Sequence, residues 1–200
     1  MYAISSIKTI FIIPIFLIFS FGFFAKDKIY ILPLEEQKED IIMYLKDNLS
    51  KIFSLDIEVL ESKRIPLSSY NPKRKQYNST LILKELLKNG LKGYTLVVCD
   101  VDLYTEGLNF VFGEASFLNK ICIISLTRLR EEYYGLIKND NLFLERALKE
   151  AVHELGHVFG LRHCANPKCV MYFSNSITDT DIKTFNFCAL CKEKLKNVNR

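Results

Sequence analysis

The chain has 200 residues, of which 49% are hydrophobic and 25% are charged. This length and composition suit one globular domain with a sizeable core, and the sequence contains no internal repeat or low-complexity run. The net charge of +4 is mild, so charge alone favours neither a nucleic acid nor an anionic membrane surface as a partner. We therefore expect no nucleic-acid partner.

The N-terminal stretch differs from the rest of the chain. Residues 10–25 are almost wholly apolar and follow a short segment that carries Lys8, which is the layout of a secretory signal or an N-terminal membrane anchor. The run is interrupted by Pro14 and is shorter than the roughly 20 residues that span a bilayer, which favours an export signal or a short uncleaved anchor. A buried core helix is the alternative, although a run without a polar face suits lipid better.

This stretch leads to a prediction about location and domain limits. We expect an exported or membrane-anchored, extracytoplasmic protein, with residues 1–25 as the signal or anchor segment and a point of membrane attachment. Residues 26–200 are then the folded domain.

The folded part reads as alternating strands and helices. Strands are predicted at 29–34, 55–60, 94–101, 109–112 and 120–126. Helices are predicted at 35–53 and from Asn78 or Ser79 to near Gly90. Residues 66–75 carry a run of basic side chains that we interpret as a solvated loop. The order β, α, β, α, β, followed by a hairpin, predicts an α/β sheet that carries a later helix on one face.

All three histidines of the protein lie between positions 153 and 163. On a helix, His153 and His157 stack on one face, as two nitrogens on one ion require. A helix continued to His163 would carry that side chain roughly 9 Å beyond His157, too far for a shared ion with bonds of about 2 Å. The helix is therefore predicted to end at Gly160, because glycine accepts the positive φ of a terminating turn.

The same helix has a core side and a site side. An apolar stripe at helical spacing lies nearly opposite the two histidines and consists of Leu144, Leu148, Ala151, Leu155 and Phe159. Glu154 follows His153 directly, where a His-Glu-x-x-His helix carries the general base that takes a proton from the attacking water. Histidines that are merely surface or core residues are the alternative. The added Gly160 and His163 at the required spacings disfavour it.

Four of the six cysteines follow the histidines as two close pairs. Cys164 and Cys169 form the first pair, Cys188 and Cys191 the second, which is the layout of a closed structural zinc site. Two disulfides are the alternative, and an oxidising compartment would favour them. We favour zinc because the spacing matches sets of thiolate ligands and because Cys164 adjoins a histidine ligand.

The other two cysteines, Cys99 and Cys122, lie in apolar strands. We interpret both as small buried hydrophobic residues rather than as a bridge or a nucleophile.

A known family shares these motifs. The pattern from His153 to His163, followed by Met171, resembles the zinc-binding pattern of the metzincins, whose methionine lies in a turn beneath the metal. With the four cysteines placed around Met171, the order is similar to that of the archaemetzincins. Residues 101–115 and 74–79 also resemble this family. The resemblance extends from about Gln76 to Cys191.

The resemblance implies a fold and a second metal site. It implies a metzincin-like mixed sheet with an active-site helix, plus a C-terminal zinc-stapled helical segment. The four cysteines would then hold a structural zinc and tie the segment after His163 to a helix predicted around 187–195. The strand around 110–114 would be an edge that lines the cleft and pairs with an extended peptide. An ordinary internal strand is the alternative.

The function implied is that of a zinc-dependent peptidase, with an aminopeptidase-like preference, acting on a peptide or protein substrate. His153, His157 and His163 would hold the catalytic zinc and Glu154 would be the base, which gives two zinc ions per chain. The alternative is a catalytically silent two-zinc structural or binding module. Retention of Glu154 opposes it, because a purely structural site has no use for an unliganded carboxylate beside the metal.

Overall fold

A computed structural model describes residues 27–91 and 93–198. The predicted signal or anchor segment, residues 1–25, lies outside the described residues. Within the part of the chain that the structure describes, no helix is both long and apolar enough to cross a membrane.

Eight strands and five α-helices form the described part of the chain. In chain order they are β1 (Lys28–Pro33), α1 (Glu39–Phe53), β2 (Asp56–Val59), β3 (Tyr70–Asn71), β4 (Gln76–Asn78), α2 (Ser79–Lys88), β5 (Tyr94–Cys99), β6 (Leu103–Tyr104), β7 (Gly113–Ser116), β8 (Ile121–Ser125), α3 (Asp140–Val158), α4 (Ile177–Ile182) and α5 (Ala189–Val198). Short 3-10 turns lie at 67–69, 127–129 and 131–134.

The main sheet has the strand order β2-β1-β5-β8-β7. Its first four strands are parallel to one another, and β7 pairs antiparallel with β8 at the edge. Parallel strands joined by helices need both faces covered. Here α1 and α3 pack on one face and α2 packs on the other, which gives two hydrophobic clusters. The predicted α/β architecture, a mixed sheet with the histidine-bearing helix on one face, is confirmed.

The central strands are apolar on both faces, as a covered parallel sheet requires. Every residue of β8 is buried, and β5 is buried from Thr95 to Cys99. Cys99 and Cys122 are both 0% exposed, so the prediction that they are buried hydrophobic residues is confirmed.

The structure departs from the predicted elements at the edge strand. The predicted strand at 109–112 is wrong, since Val111 forms only an isolated bridge with Leu103 and the strand proper is β7, Gly113–Ser116. Its residues, Gly-Glu-Ala-Ser, have weak strand preferences, and pairing with the buried β8 decides their conformation.

Two local features also differ from prediction. Helix α1 begins at Glu39, not at 35, because Glu35 has a φ of 56° and the Gln37 side chain donates to the Leu34 carbonyl at 2.6 Å. Part of the predicted loop at 66–75 belongs to a second sheet with the order β3-β4-β6. Its strands are two or three residues long, too short to leave an alternating pattern in the sequence.

Candidate active site and metal centres

Helix α3 carries the site, and both of its ends are set by local chemistry. Asn139 caps the start, because its side chain accepts a hydrogen bond from the Leu142 N–H. At the other end Gly160 has a φ of 86°, and the Leu161 N–H donates to the Gly156 carbonyl at 2.9 Å. This left-handed turn reverses the chain and returns His163 to the helix.

The three histidines converge in front of α3. His153 Nε2 and His157 Nε2 are 3.2 Å apart, and one ring nitrogen from each of the three residues lies within 4.8 Å of the others. Zn–N bonds of about 2.0–2.1 Å in a tetrahedral site place two nitrogens roughly 3.3 Å apart. The spacing of the first two histidines therefore fits a shared zinc ion.

Hydrogen bonds fix the tautomers of those two rings. His153 Nδ1 lies 2.7 Å from the Val170 carbonyl and His157 Nδ1 lies 2.8 Å from the Leu161 carbonyl. A carbonyl only accepts, so each Nδ1 carries the proton and each Nε2 presents a lone pair. Two facing lone pairs repel one another, and a cation between them is the partner that satisfies both.

Burial prepares the imidazoles for that role. Burial lowers the pKa of His153 well below its ordinary value and also lowers the pKa of His157 and His163; the positive charge of Lys183 acts in the same direction on each. Neutral imidazole is the form that binds a metal. The ring of His163 also packs on Phe173, with centroids 4.8 Å apart.

Glu154 lies beside this cluster and is only 6% exposed. Burial raises the pKa of its carboxyl group well above the ordinary value, and nearby Glu150 adds to the rise. The edge strand approaches it closely, because a Cβ added at Gly113 would lie 2.7 Å from Glu154 Cγ. A glycine at this point lets β7 line the cleft directly above the carboxylate.

Met171 lies beneath the histidines and packs on the helix. A Cβ added at Gly156 would collide with Met171 Sδ, so the methionine sulfur fills the space that the glycine leaves on α3. The Cys164 N–H donates to the Met171 carbonyl at 2.9 Å. This bond links the methionine turn to the segment that carries His163.

The four later cysteines form a second cluster, next to the first. The sulfur atoms of Cys164, Cys169, Cys188 and Cys191 lie within 4.8 Å of one another, and all four are free thiols. Cys164 Sγ and Cys188 Sγ are 3.8 Å apart, about the separation that two Zn–S bonds of roughly 2.3 Å give in a tetrahedral site. The Cys191 backbone N–H lowers the pKa of the Cys188 thiol to about 7, which favours the thiolate that a metal requires at that position. Burial instead raises the pKa of the Cys169 and Cys191 thiols.

Two cavities flank Glu154 and His153. One has a volume of about 570 Å³ and extends past His157 and His163 towards Phe117. The other has a volume of about 240 Å³ and extends towards Glu150 and Ser174. Leu108, Val111 and Gly113 line both cavities. The site is therefore a cleft that continues on both sides of the histidines.

Sequence reasoning missed two charged residues here. Glu150 and Lys183 are buried and form an ion pair at 2.8 Å. Glu150 could have been found, because it precedes Glu154 by one helical turn and must share its face. Lys183 left no signal in the sequence, since only the fold brings it to α3.

A mixed α/β sheet that carries a His-Glu-x-x-His helix, a third histidine after a glycine turn, and a methionine beneath them defines a zinc metallopeptidase of the metzincin type. The family model for "Peptidase family M54" matches residues 74–197. The chain belongs to this family, the archaemetzincins, and is a zinc metallopeptidase.

Curated relatives and solved structures agree with this family. The archaemetzincin of Methanocaldococcus jannaschii is 46% identical over 85% of this chain and 93% of its own, and that of Archaeoglobus fulgidus is 43% identical over 84% and 99%. The crystal structure of the A. fulgidus protein, complexed with malonate, has a TM-score of 0.73 at 43% identity and covers 84% of this chain and 99% of its own. That of the Methanopyrus kandleri archaemetzincin has a TM-score of 0.76 at 33% identity and covers 87% and 96%.

The predicted location is corrected by these comparisons. The matching relatives are archaeal archaemetzincins. The prediction of an exported or membrane-anchored, extracytoplasmic protein is therefore wrong. It depends on the apolar composition of residues 10–25 alone, a run shorter than the roughly 20 residues that a bilayer requires.

Proposed function

We propose that this peptidase hydrolyses peptide bonds with His153, His157 and His163 as zinc ligands and Glu154 as the general base. The observation that carries the proposal is the pair of Nε2 lone pairs that face each other at 3.2 Å beside a buried carboxylate. The chemistry that zinc supplies when bound is Lewis acidity, which lowers the pKa of water and polarises a carbonyl group.

The side chains of the site have separate tasks in this proposal. Glu154 accepts the proton of the attacking water and passes it to the leaving amine. Burial raises the pKa of its carboxyl group, which is the direction that a proton acceptor needs. The Val170 and Leu161 carbonyls hold the His153 and His157 rings in the orientation that ligation needs.

The substrate proposed is an extended peptide or protein segment that pairs with the edge strand β7. One edge of β7 pairs with β8, and Gly113, Glu114 and Ala115 line the cleft. A peptide added at the opposite edge of β7, which is the outer edge of the main sheet, would run past Glu154 and place a carbonyl group near the histidines. An aminopeptidase-like preference is the finer part of the proposal and is supported by the family resemblance alone. We propose no nucleic-acid partner.

We also propose a second, structural zinc held by Cys164, Cys169, Cys188 and Cys191. The sulfur separations support it, as does the contact between the Cys188 N–H and Cys169 Sγ at 3.3 Å. A closed thiolate site of this kind contributes folding free energy directly. Here it would hold α5 against the segment that carries His163.

The test is to replace Glu154 by Gln. Peptide hydrolysis should fall by about 100-fold or more, because the amide cannot accept the proton. Zinc content, measured by atomic emission, should stay at the parental value, because Glu154 is not a ligand in the proposal. The matched control is Glu61→Gln, an exposed glutamate outside the cleft, which should keep full activity.

Equal hydrolysis by the Glu154→Gln variant and the parent would refute the proposed role. A parent protein that binds zinc but cleaves no peptide would instead favour the silent two-zinc binding module. The same assay tests the aminopeptidase-like preference by comparing peptides with free and acetylated N-termini. Faster cleavage of the acetylated peptide would oppose that preference.

A further inference from the structure

The smaller of the two cavities has a polar end and apolar walls. Phe110 and Phe112 contribute apolar walls, and Glu150, Ser174 and Asn175 contribute polar groups. Glu154 and His153 line the same cavity. A volume of about 240 Å³ accommodates a side chain rather than a single water. We call this cavity, defined by those residues, the side-chain pocket.

The Glu150 carboxylate is anchored through one of its oxygens. Its side chain is 3% exposed; Lys183 Nζ lies 2.8 Å from Oε1, and the Thr180 hydroxyl donates to the same Oε1 at 3.1 Å. The Lys183 contact is an ion pair whose geometry is poor for a hydrogen bond. Among the described residues, none donates to Oε2. Oε2 is thus the oxygen that remains available to a ligand in the pocket.

Ser174 supplies a second unmet polar group. Its Oγ is buried and has no hydrogen-bond partner among the residues that the structure describes. A buried hydroxyl without a partner is unfavourable, so a ligand amide that reaches it supplies the hydrogen bond that it lacks. The side-chain pocket therefore offers an acceptor at Glu150 Oε2 and a hydroxyl at Ser174 that can either donate or accept.

We propose that the side-chain pocket selects a substrate residue with a neutral primary amide, glutamine or asparagine, beside the scissile bond, through Glu150 and Ser174. The amide NH₂ donates to Glu150 Oε2, and the amide oxygen accepts from the Ser174 hydroxyl. The stem of the side chain packs between the phenylalanine walls. This inference rests on the proposed peptidase function and names its substrate class.

Charge and polarity exclude the other side-chain classes. A carboxylate in the substrate would bring acceptor oxygens against Glu150 Oε2, which cannot donate a hydrogen bond to them. A cation would add a second positive charge near Lys183, which already neutralises Glu150. An apolar side chain would leave Oε2 and the Ser174 hydroxyl without partners, and a site built for hydrogen bonds discriminates strongly against ligands that lack them.

The test measures binding separately from turnover. Blocked tripeptides acetyl-Ala-X-Ala-amide, with X as Gln, Leu, Lys or Glu, are titrated calorimetrically into the zinc-loaded Glu154→Gln protein, which retains them uncleaved. The Gln peptide should bind about tenfold more tightly than the Leu peptide, as expected for one or two added hydrogen bonds. The Lys and Glu peptides should bind more weakly than the Gln peptide.

Two variants assign this preference to the pocket. Glu150→Leu combined with Lys183→Met removes both members of the buried ion pair. A single substitution would instead leave one buried charge without its partner. In that protein the Leu peptide should bind at least as tightly as the Gln peptide. Ser174→Ala, a smaller change, should weaken binding of the Gln peptide by several-fold and leave binding of the Leu peptide unchanged.

Equal or tighter binding of the Leu peptide by the starting protein, an unchanged order in both variants, or no binding of any peptide would overturn the inference. Cleavage of the same peptides by the parent protein is followed in parallel. If the parent cleaves the peptides but binding shows no preference for the amide side chain, this inference is wrong and the proposed function stands. If the amide peptide binds most tightly but the parent cleaves none of the peptides, the inference is supported and the proposed function is wrong.

Discussion

Two of the six cysteines are packed as apolar side chains. Cys99 and Cys122 are 0% exposed within β5 and β8, and Cys99 Sγ donates weakly to the Ile124 carbonyl at 3.4 Å. Burial raises the pKa of the Cys99 thiol from 9.0 to about 12 and raises that of Cys122 as well. Both thiols in the sheet are therefore inert as nucleophiles and ligands.

The raised pKa of Cys99 predicts a loss of stability in alkali. Between pH 9 and about 12 the thiol of the unfolded chain ionises while the folded chain keeps its proton, so ionisation favours unfolding. The contribution of Cys99 to the free energy of unfolding should fall by about 1.4 kcal/mol per pH unit in this range. Urea unfolding of the parent and of Cys99→Ala at pH 8.5 to 11 measures it.

Tyrosines and lysines also titrate in this pH range. Because both proteins contain them, their contributions cancel when the parent is compared with Cys99→Ala. The stability advantage of the parent over the variant should shrink as the pH rises. A constant difference across the range would show that the Cys99 thiol ionises equally easily in both states.

At the scale of elements, α3 is held by opposite kinds of contact on its two sides. Its apolar stripe packs on the sheet, with Leu148, Ala151 and Leu155 at most 1% exposed. Its other side meets α4 through charged groups, among them Arg146, whose guanidinium donates to both carboxylate oxygens of Asp181 at 2.7 Å. These contacts fix the segment between Met171 and Lys183 against the helix that bears the histidines.

The packing of Met171 on α3 predicts the effect of Gly156→Ala. Alanine stabilises a helix interior by about 1 kcal/mol relative to glycine. Here the added methyl group collides with Met171 Sδ, and overpacking of this kind costs about 1–3 kcal/mol. We expect a lower melting temperature and weaker zinc retention on dialysis against a chelator.

Met171→Ala in the Gly156→Ala background provides the control, because it removes the sulfur that collides. The two substitutions should then be non-additive, with the double variant more stable than the sum of the single effects predicts. A melting temperature for Gly156→Ala above the parental value would show that the methionine turn shifts freely.

At the scale of the whole molecule, two potential ligand clusters are joined by a single peptide bond. His163 belongs to the first and Cys164 to the second. The cysteine cluster joins α5 to the methionine turn, since the Val170 N–H donates to the Asn186 carbonyl at 2.9 Å and Cys188 contacts Cys169. We therefore expect the two sites to be coupled, with loss of the cysteine site loosening the third histidine.

Metal content tests this arrangement. The protein purified under reducing conditions should contain two zinc ions per chain if the three histidines hold one ion and the four cysteines hold another. The Cys169→Ser, Cys191→Ser double variant should retain about one ion and release it more readily than the parent. Cys99→Ala, which alters a cysteine outside the cluster, should retain two.

Thiol counting on the denatured, chelated protein distinguishes zinc from disulfides. Six free thiols, the full number in the sequence, support zinc at the four-cysteine cluster. Only two free thiols would mean that the four cysteines form disulfides. The C-terminal segment that contains α5 would then resist a chelator and loosen under reductant.

Much of the site's layout is present in the sequence because it depends on local rules. Helical periodicity places His153 and His157 on one face with Glu154 beside them, and Gly160 ends the helix where the third histidine must turn back. The Asn78 cap of α2 and the buried stripe of α3 are equally local. Family and activity could be inferred because these spacings are specific.

What only the tertiary structure decided depends on contacts distant in sequence. Pairing with β8 placed the edge strand at Gly113–Ser116 instead of 109–112, because weak strand formers adopt the conformation that a buried partner imposes. The ion pair between Glu150 and Lys183 spans two helices, and no local pattern encodes it. Sequence determined which residues can perform the chemistry, whereas the fold determined which charges surround them, since burial and long-range pairing arise only when the chain packs.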